Sequence, residues 1–374
     1  MSGLDAAAAA AAYLGRLPAG ARAAAVADTA WAEGTAVALV LMLLGVSFAF
    51  LRLGVLVRIR EGLALSGTGR WTADLLCAAV FTAAAALACA PFLVWRARKG
   101  FGTVLLSELR QDLTLVAAAA ILAPALYLLI RRAPRLWGLA LGLVLGGVVF
   151  ASCWLPYVSA AGPAALPAAA GPARAGLIAL IRETGLPAAQ VYVSPGSALD
   201  ADVTGTAARA RVVITRGLWD AASPAELRAG VGHLIGHYVH RDQLAIAALL
   251  GLSILAGFGT LQTLFAPAAR LLGARGVQGP GDPAGLPVLT AIATVWFAAM
   301  VVADHALIRA VNVRADQYSL DHAREPDGLA IALLREWRGD RVDPSPLQAA
   351  LFYDHPPLAD RLLHAMRWKA DHPR

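Results

Sequence analysis

Six stretches of this chain are apolar for long enough to cross a bilayer, and they restrict the fold more than any motif does. A membrane-spanning helix needs roughly 20 mostly apolar residues, and lipid tolerates no open backbone hydrogen bonds. The stretches lie at about 36–57, 75–95, 113–130, 136–157, 244–265 and 286–303. Arg52 falls near the end of the first, where a long side chain can snorkel to the interface. The composition agrees. Of 374 residues, 58% are hydrophobic and only 15% charged, against about 25% charged in a soluble domain.

The net charge is +7, nearly all from arginine, since Lys99 and Lys369 are the only lysines. In a membrane protein this balance points to loop anchoring at anionic headgroups. No basic patch interleaved with aromatics appears, so nucleic acid is not an expected partner. Arginines occupy every early connection, so the positive-inside rule gives no clean orientation. Cys77, Cys89 and Cys153 all lie inside apolar runs, which argues against a disulfide framework or a cysteine metal site. The first basic residue, Arg16, follows the alanine run Ala6–Ala12 instead of preceding it, unlike a signal peptide.

The pattern divides the chain into five parts. Residues 1–34 read as an alanine-rich lead-in, helical or partly disordered. Residues 35–158 hold four spans. After a Pro/Ala/Gly linker at 159–174, residues 170–243 form a small α+β segment. Residues 244–303 hold two more spans, joined by the Gly/Pro-rich stretch Gly273–Gly285. Residues 304–374 are a polar helical segment. Within 170–243, Ala175–Thr184 reads as an amphipathic helix. Val191–Val193 and Arg211–Thr215 read as strands, with Ala201–Gly205 a third candidate. Two spans separate the polar segments, so both lie on one side of the membrane and can build one site.

Ser223-Pro224-Ala225-Glu226 is a strong helix start: serine caps, proline suits the first helical position, and Glu226 completes a capping box. The helix is expected to run to about Arg241. His233 and His237 are four residues apart and share a face. Two imidazoles at that spacing can grip one tetrahedral zinc ion. The usual motif is H-E-x-x-H, whose glutamate activates metal-bound water. Here the sequence is His233-Leu234-Ile235-Gly236-His237, and leucine occupies the general-base position. Loss of a positioned base costs about 10²–10⁴ in rate. A histidine pair alone is more often plain surface or core than metal, so its neighbourhood has to decide.

From Ala175 onward the sequence resembles the membrane-embedded zinc metalloproteases of the CAAX prenyl protease and heat-shock membrane endopeptidase type. TGLPAAQVYV at 184–193 is similar to the family's approach to its first strand. Asp200, Ala201 and Asp202 stand where the family has a strand that pairs with extended substrate. ARVVITRGLWD at 210–220 and SPAELRAGVGHLIGHYVHRD at 223–242 match the strand and helix of the active site. RAVNVRAD at 309–316 resembles the later R-x-x-E-x-x-A-D helix. HPPLADRL at 355–362 resembles H-P-P-x-x-x-R.

The resemblance implies a mainly α, multi-pass helix bundle with a small α+β zincin-like metalloprotease domain. It implies zinc on His233 and His237, with a third ligand at the position of Asn312. Asparagine offers only a neutral carbonyl oxygen there, so zinc affinity is expected to be weakened. Asp316, with Arg309, would orient a ligand histidine from outside the coordination sphere. His355 would lie near the cleft, although a plain loop position before Pro356-Pro357 explains it equally well.

Substitutes for the missing groups are poor. Glu226 is seven residues before His233, about 10 Å along the axis, and already caps the helix. His305 lies two turns before Asn312, where an interfacial position accounts for it, and a helix end accounts for His240. Three readings stay open. One is a pseudoprotease that binds extended peptides or membrane proteins. The second is an active metallopeptidase with a rebuilt centre. The third is a metal-binding or sensing module. The expected location is the plasma membrane of a bacterium, with the polar domain in the cytoplasm.

Overall fold

The computed structural model describes residues 4–96, 101–159, 166–168, 171–184, 190–206 and 209–373, without the side chains of 91–113, 115, 159 and 190. The expected linker and the start of the 184–193 motif fall partly outside these residues. In chain order, the N-terminal elements are α1 (Ala6–Leu14), α2 (Ala19–Leu53), α3 (Val55–Leu65), α4 (Arg70–Arg96), α5 (Phe101–Arg132) and α6 (Trp137–Ser159). The middle holds β1 (Leu166–Pro167), α7 (Pro172–Glu183), β2 (Gln190–Ser194), β3 (Ala201–Thr204), β4 (Arg211–Thr215), α8 (Arg216–Ala221) and α9 (Pro224–His240). The chain closes with α10 (Asp242–Leu271), α11 (Leu286–Ala323), α12 (Pro326–Glu336), α13 (Pro346–Phe352) and α14 (Leu358–Asp371). The chain is mainly α.

The helices fall into two compact units. One comprises Trp31–Gly147 and Gly251–Met300, and the other Met1–Ala30, Val148–Leu250 and Val301–Arg374. Five helical stretches among the described residues are long and apolar enough to cross a membrane: Ala19–Leu53, Arg70–Ala90, Trp137–Val158, Asp242–Leu271 and Pro283–Ala323. The expected third span, 113–130, falls on α5, which is not among these five. The first span also ends earlier than expected. Gly54 takes a left-handed conformation (φ 59°), so the helix breaks there and residues 55–57 open α3 instead.

The first unit is a helix bundle around Leu51, Tyr127, Ile130, Trp137, Phe265 and Val288. Between helices in lipid there is little hydrophobic driving force, so close backbone approach through small residues must supply the contact. Gly138, Gly142 and Gly146 repeat every four residues along α6 and face α10. A Cβ added at Gly142 would stand 2.9 Å from Leu255 Cα, and at Gly146 2.5 Å from the Gly251 carbonyl oxygen. Gly147, one residue on, has open space. Buried Asp74 receives Arg131 at 2.8 and 2.5 Å, and buried Asp282 receives Arg60.

In the second unit the sheet order is β1-β2-β4-β3, with β2 and β4 parallel and the other pairs antiparallel. The alternation of Val191, Val193, Val212 and Ile214 sends one face onto α7 and α9. β1 was not legible in the sequence. Its proline lacks an N–H, which an edge strand tolerates, and Ala168 N bonds Val191 O at 2.9 Å. β3 forms the other edge. Within the lead-in, α1 is docked. Ala10, Tyr13 and Leu17 share a core with α12 and α14, and Tyr13 Oη donates to Asp327 at 2.7 Å.

Gly146→Leu is expected to destabilise the bundle by about 1–3 kcal/mol through overpacking, whereas Gly147→Leu leaves it near wild type. Thermal unfolding of both variants in one detergent checks this.

Candidate metal centre

α9 begins as its sequence requires. Ser223 Oγ accepts from Glu226 N at 3.2 Å, and Glu226 Oε2 accepts from Ser223 N at 3.4 Å. Buried Glu226 also takes the Arg335 guanidinium from α12, at 3.1 Å for the Nη2–Oε2 bond. Its carboxylate is therefore committed to the cap and an ion pair. The helix ends at His240, where Arg241 turns left-handed (φ 57°), and Asp242 opens α10 at once.

Gly232 and Gly236 let α11 approach closely. A Cβ on Gly236 would stand 3.1 Å from Ala315 Cα, and one on Gly232 3.1 Å from Ser319 Oγ. This crossing places Asp316 beside His233. The His233 Nδ1–H donates to Asp316 Oδ1 at 2.7 Å, and the His237 Nδ1–H to Asp242 Oδ2 at 2.8 Å. Ionised carboxylates only accept, so each imidazole keeps its Nε2 lone pair free. Those two Nε2 atoms face each other at 3.0 Å. Two imidazole nitrogens on one tetrahedral zinc ion stand about 3.3 Å apart, so the pair fits the two-nitrogen half of a zinc site.

Arginines back both carboxylates. Arg361, itself buried, donates from Nε and Nη2 to Asp316 at 2.6 and 2.7 Å. Arg314 pairs with Asp242. Burial pushes the His233 imidazole pKa below its ordinary value, against the opposing pull of Asp316.

The rest of the ligand set does not fit a hydrolytic zinc. Asn312 lies one turn before Asp316 on α11 and is buried. Its Nδ2 donates to Ile308 O at 2.9 Å, leaving only a neutral carbonyl oxygen as donor. Among the described residues, no group of three or more His, Cys, Asp or Glu could hold a metal ion. Leu234 is half-buried, packs against the sheet-side core and lines the same cleft as the histidines. It can neither accept a proton nor orient water.

The cleft encloses about 1250 Å³. Asp200, Ala201 and Asp202 line it along the β3 edge, and Asn312 and His355 line it elsewhere. Burial raises the Asp202 carboxyl pKa. His355 is exposed and bonds Asp354 at 2.9 Å, which lowers the Asp354 carboxyl pKa. Arg309 contacts neither histidine. It donates to the carbonyls of Ala349, at 2.7 Å, and Tyr353, holding α13 before the His355 loop. His240 Nδ1 bonds Gly236 O at 2.7 Å, and His305 Nδ1 bonds Leu351 O at 3.2 Å. Sequence reasoning did not single out Asp242, Arg314 or Arg361. Arg361 had a signal, as the arginine of H-P-P-x-x-x-R, whereas Asp242 is visible only once the chain turns at Arg241.

A membrane helix bundle joined to a paired-histidine α+β unit defines the membrane-embedded metallopeptidase class of fold. The sequence profile of Peptidase family M48 matches residues 173–369, more than half of the chain, and the chain belongs to that family. It is 30% identical over 201 residues to an uncharacterized metalloprotease, YhfN, of Bacillus subtilis. That match covers 50% of this chain but 46% of the Bacillus protein, so the chain matches less than half of that relative's length. It is 28% identical over 200 residues to a protease HtpX homolog of Syntrophobacter fumaroxidans, covering 47% of this chain and 69% of that one. The crystal structure of S. mikatae Ste24p shares the fold, with a TM-score of 0.54 at 21% identity, over 85% of this chain and 82% of the other. The protein is an integral membrane member of a family that generally uses zinc.

Arg361→Met, which strands a buried carboxylate, is expected to cost about 3–5 kcal/mol. Arg361→Met with Asp316→Leu is expected to cost less than Arg361→Met alone. Chemical unfolding followed by tryptophan fluorescence checks both. The metal-free protein is also expected to lose stability on acidification. The folded His233 pKa lies below the unfolded value of about 6.5, so protonation favours the unfolded chain. The melting temperature should hold above about pH 6.5 and fall below it, and His233→Gln should flatten that fall.

Proposed function

We propose that this chain is a membrane pseudoprotease, an M48 scaffold that holds extended peptide segments or membrane proteins without hydrolysing them. The observation that carries this reading is the double absence of a carboxylate, at Leu234 and at Asn312, in a cleft whose buried Glu226 is occupied by Arg335. A hydrolytic zinc site needs a third strong ligand and a base to activate water. Among the described residues no third His, Cys, Asp or Glu completes a metal-holding group with the pair. The β3 edge lines the cleft, and its Ala201 and Val203 N–H groups donate to the Asp200 and Asp202 side chains at 2.9 and 2.7 Å, which an added strand would displace. The proposed residue roles follow: His233 and His237 as the histidine pair, Asp316 and Asp242 as its anchors, and Asp200 to Asp202 as the peptide-facing edge. We place the protein in a bacterial plasma membrane with its polar segments in the cytoplasm.

One observation favours a second reading, a metal-binding or sensing module. Both Nδ1 atoms are anchored and both Nε2 atoms converge, which suits a cation held without chemistry. For an active peptidase with a rebuilt centre, the cleft offers His355 and the carboxylates of Asp200, Asp202 and Asp354, but among the described residues the histidine pair bonds only Asp316, Asp242 and itself.

Metal analysis and a peptidase assay separate the readings. Wild-type protein purified from zinc-replete cells should show no chelator-sensitive proteolysis. The Leu234→Glu, Asn312→Glu variant should gain zinc, approaching one ion per chain. Efficient wild-type cleavage that is lost in His237→Ala would overturn the pseudoprotease reading. Zinc bound by wild type and lost in His233→Ala, without cleavage, would select the metal-binding module.

A further inference from the structure

At one end of the membrane helix bundle, three connections meet: α2 through α3 to α4, α5 to α6, and α10 to α11. Arg60 donates to Gly276 O at 3.2 Å and pairs with Asp282. Arg131 donates to Gly281 O at 2.8 Å and pairs with Asp74. These bonds tie the three connections together and consume both buried acids at this end. The remaining charge is one-sided.

Four arginines here each precede an exposed apolar residue: Arg52-Leu53, Arg70-Trp71, Arg135-Leu136 and Arg270-Leu271. Leu53, Trp71 and Leu136 are each 59% exposed, and Leu271 87%. Arg58, Arg132 and Arg275 are exposed at the same end. None of these seven has an acidic partner among the described residues. Glu61, the exposed acid there, is turned to Arg60 at 3.2 Å. Each doublet stands where a span ends or begins, at the end of α2 and α10 and the start of α4 and α6. α3 lies across this end, with Leu56 buried in the core and Arg58 exposed.

A water-facing end would gain nothing from bare leucine and tryptophan beside four of its seven exposed arginines. An end immersed in the headgroup layer needs both, because the apolar side chain enters the acyl boundary while the guanidinium meets a phosphate diester. We propose that this end is a docking surface for anionic phospholipid headgroups, with Arg52, Arg70, Arg135 and Arg270 as its principal contacts. Arg60 and Arg131 are structural and take no part. The inference does not depend on what the histidine cleft does.

Native mass spectrometry of protein released from nanodiscs of equal phosphatidylglycerol and phosphatidylcholine tests it. One arginine near an anionic surface is worth about fivefold in affinity, so wild type should retain phosphatidylglycerol over phosphatidylcholine by about tenfold or more. R52Q/R70Q/R135Q/R270Q should reduce that preference to about twofold or less, while R182Q/R367Q, which removes charge from the other unit, keeps it. Should the fourfold variant fail to fold, R52Q/R70Q and R135Q/R270Q should each lose part of the preference. Equal retention of both lipids by wild type would overturn the proposal. So would an unchanged preference in the folded variants, or an equal loss in R182Q/R367Q. Displacement of the lipid by inorganic phosphate at matched concentration would also overturn it, because it would mean isolated anion sites and not a lipid surface.

Discussion

The buried carboxylate of Asp316 ties three helices into one unit. It accepts from His233 on α9 and from two nitrogens of Arg361 on α14, and it belongs to α11. A carboxylate so far from water is tolerable only with such partners, since an isolated buried charge costs several kcal/mol. The arrangement fixes more than stability. It sets the imidazole tautomer, aims Nε2 into the cleft and locks α14 onto the other two helices. Asp242 repeats the device for His237 with Arg314 behind it. The histidine pair is thus supported on both sides, with leucine at 234 and asparagine at 312 beside it.

That combination is physically reasonable. The His–Asp–Arg chains are part of the packing, and losing one partner strands the others in low dielectric. Leu234 and Asn312, by contrast, line the cleft. Leucine at 234 joins the core beside it, and Asn312 satisfies its amide on its own helix at Ile308. Neither replacement leaves a buried group without a partner, so the fold survives both changes.

Close approach of backbones recurs in both units. Gly232 and Gly236 admit α11 against α9, and Gly138, Gly142 and Gly146 admit α10 against α6. In the first case proximity delivers a carboxylate to a histidine. In the second it supplies the packing that hydrophobicity cannot supply in lipid. At one end of the membrane bundle, arginines paired with Asp74 and Asp282 tie the helix connections together.

Much of this protein was legible in its sequence. Apolar run length marked the membrane helices, because lipid permits little else. The capping box marked the start of α9, because its signal is local, and four-residue spacing put the two histidines on one face. Their neighbours in sequence also disclosed the family. Other features depended on contacts between distant segments and were not legible. The break at Gly54 needed a backbone angle, and β1 needed a partner strand more than twenty residues away. The docking of α1 needed a surface built by α12 and α14. The roles of Arg361 and Asp242 appeared only when α11, α14 and the turn at Arg241 brought them to the histidines. The sequence determined which groups are present and which are missing at the centre. The tertiary structure decided that Glu226, the remaining buried carboxylate of α9, is not free to replace them, because Arg335 from a helix a hundred residues away already holds it.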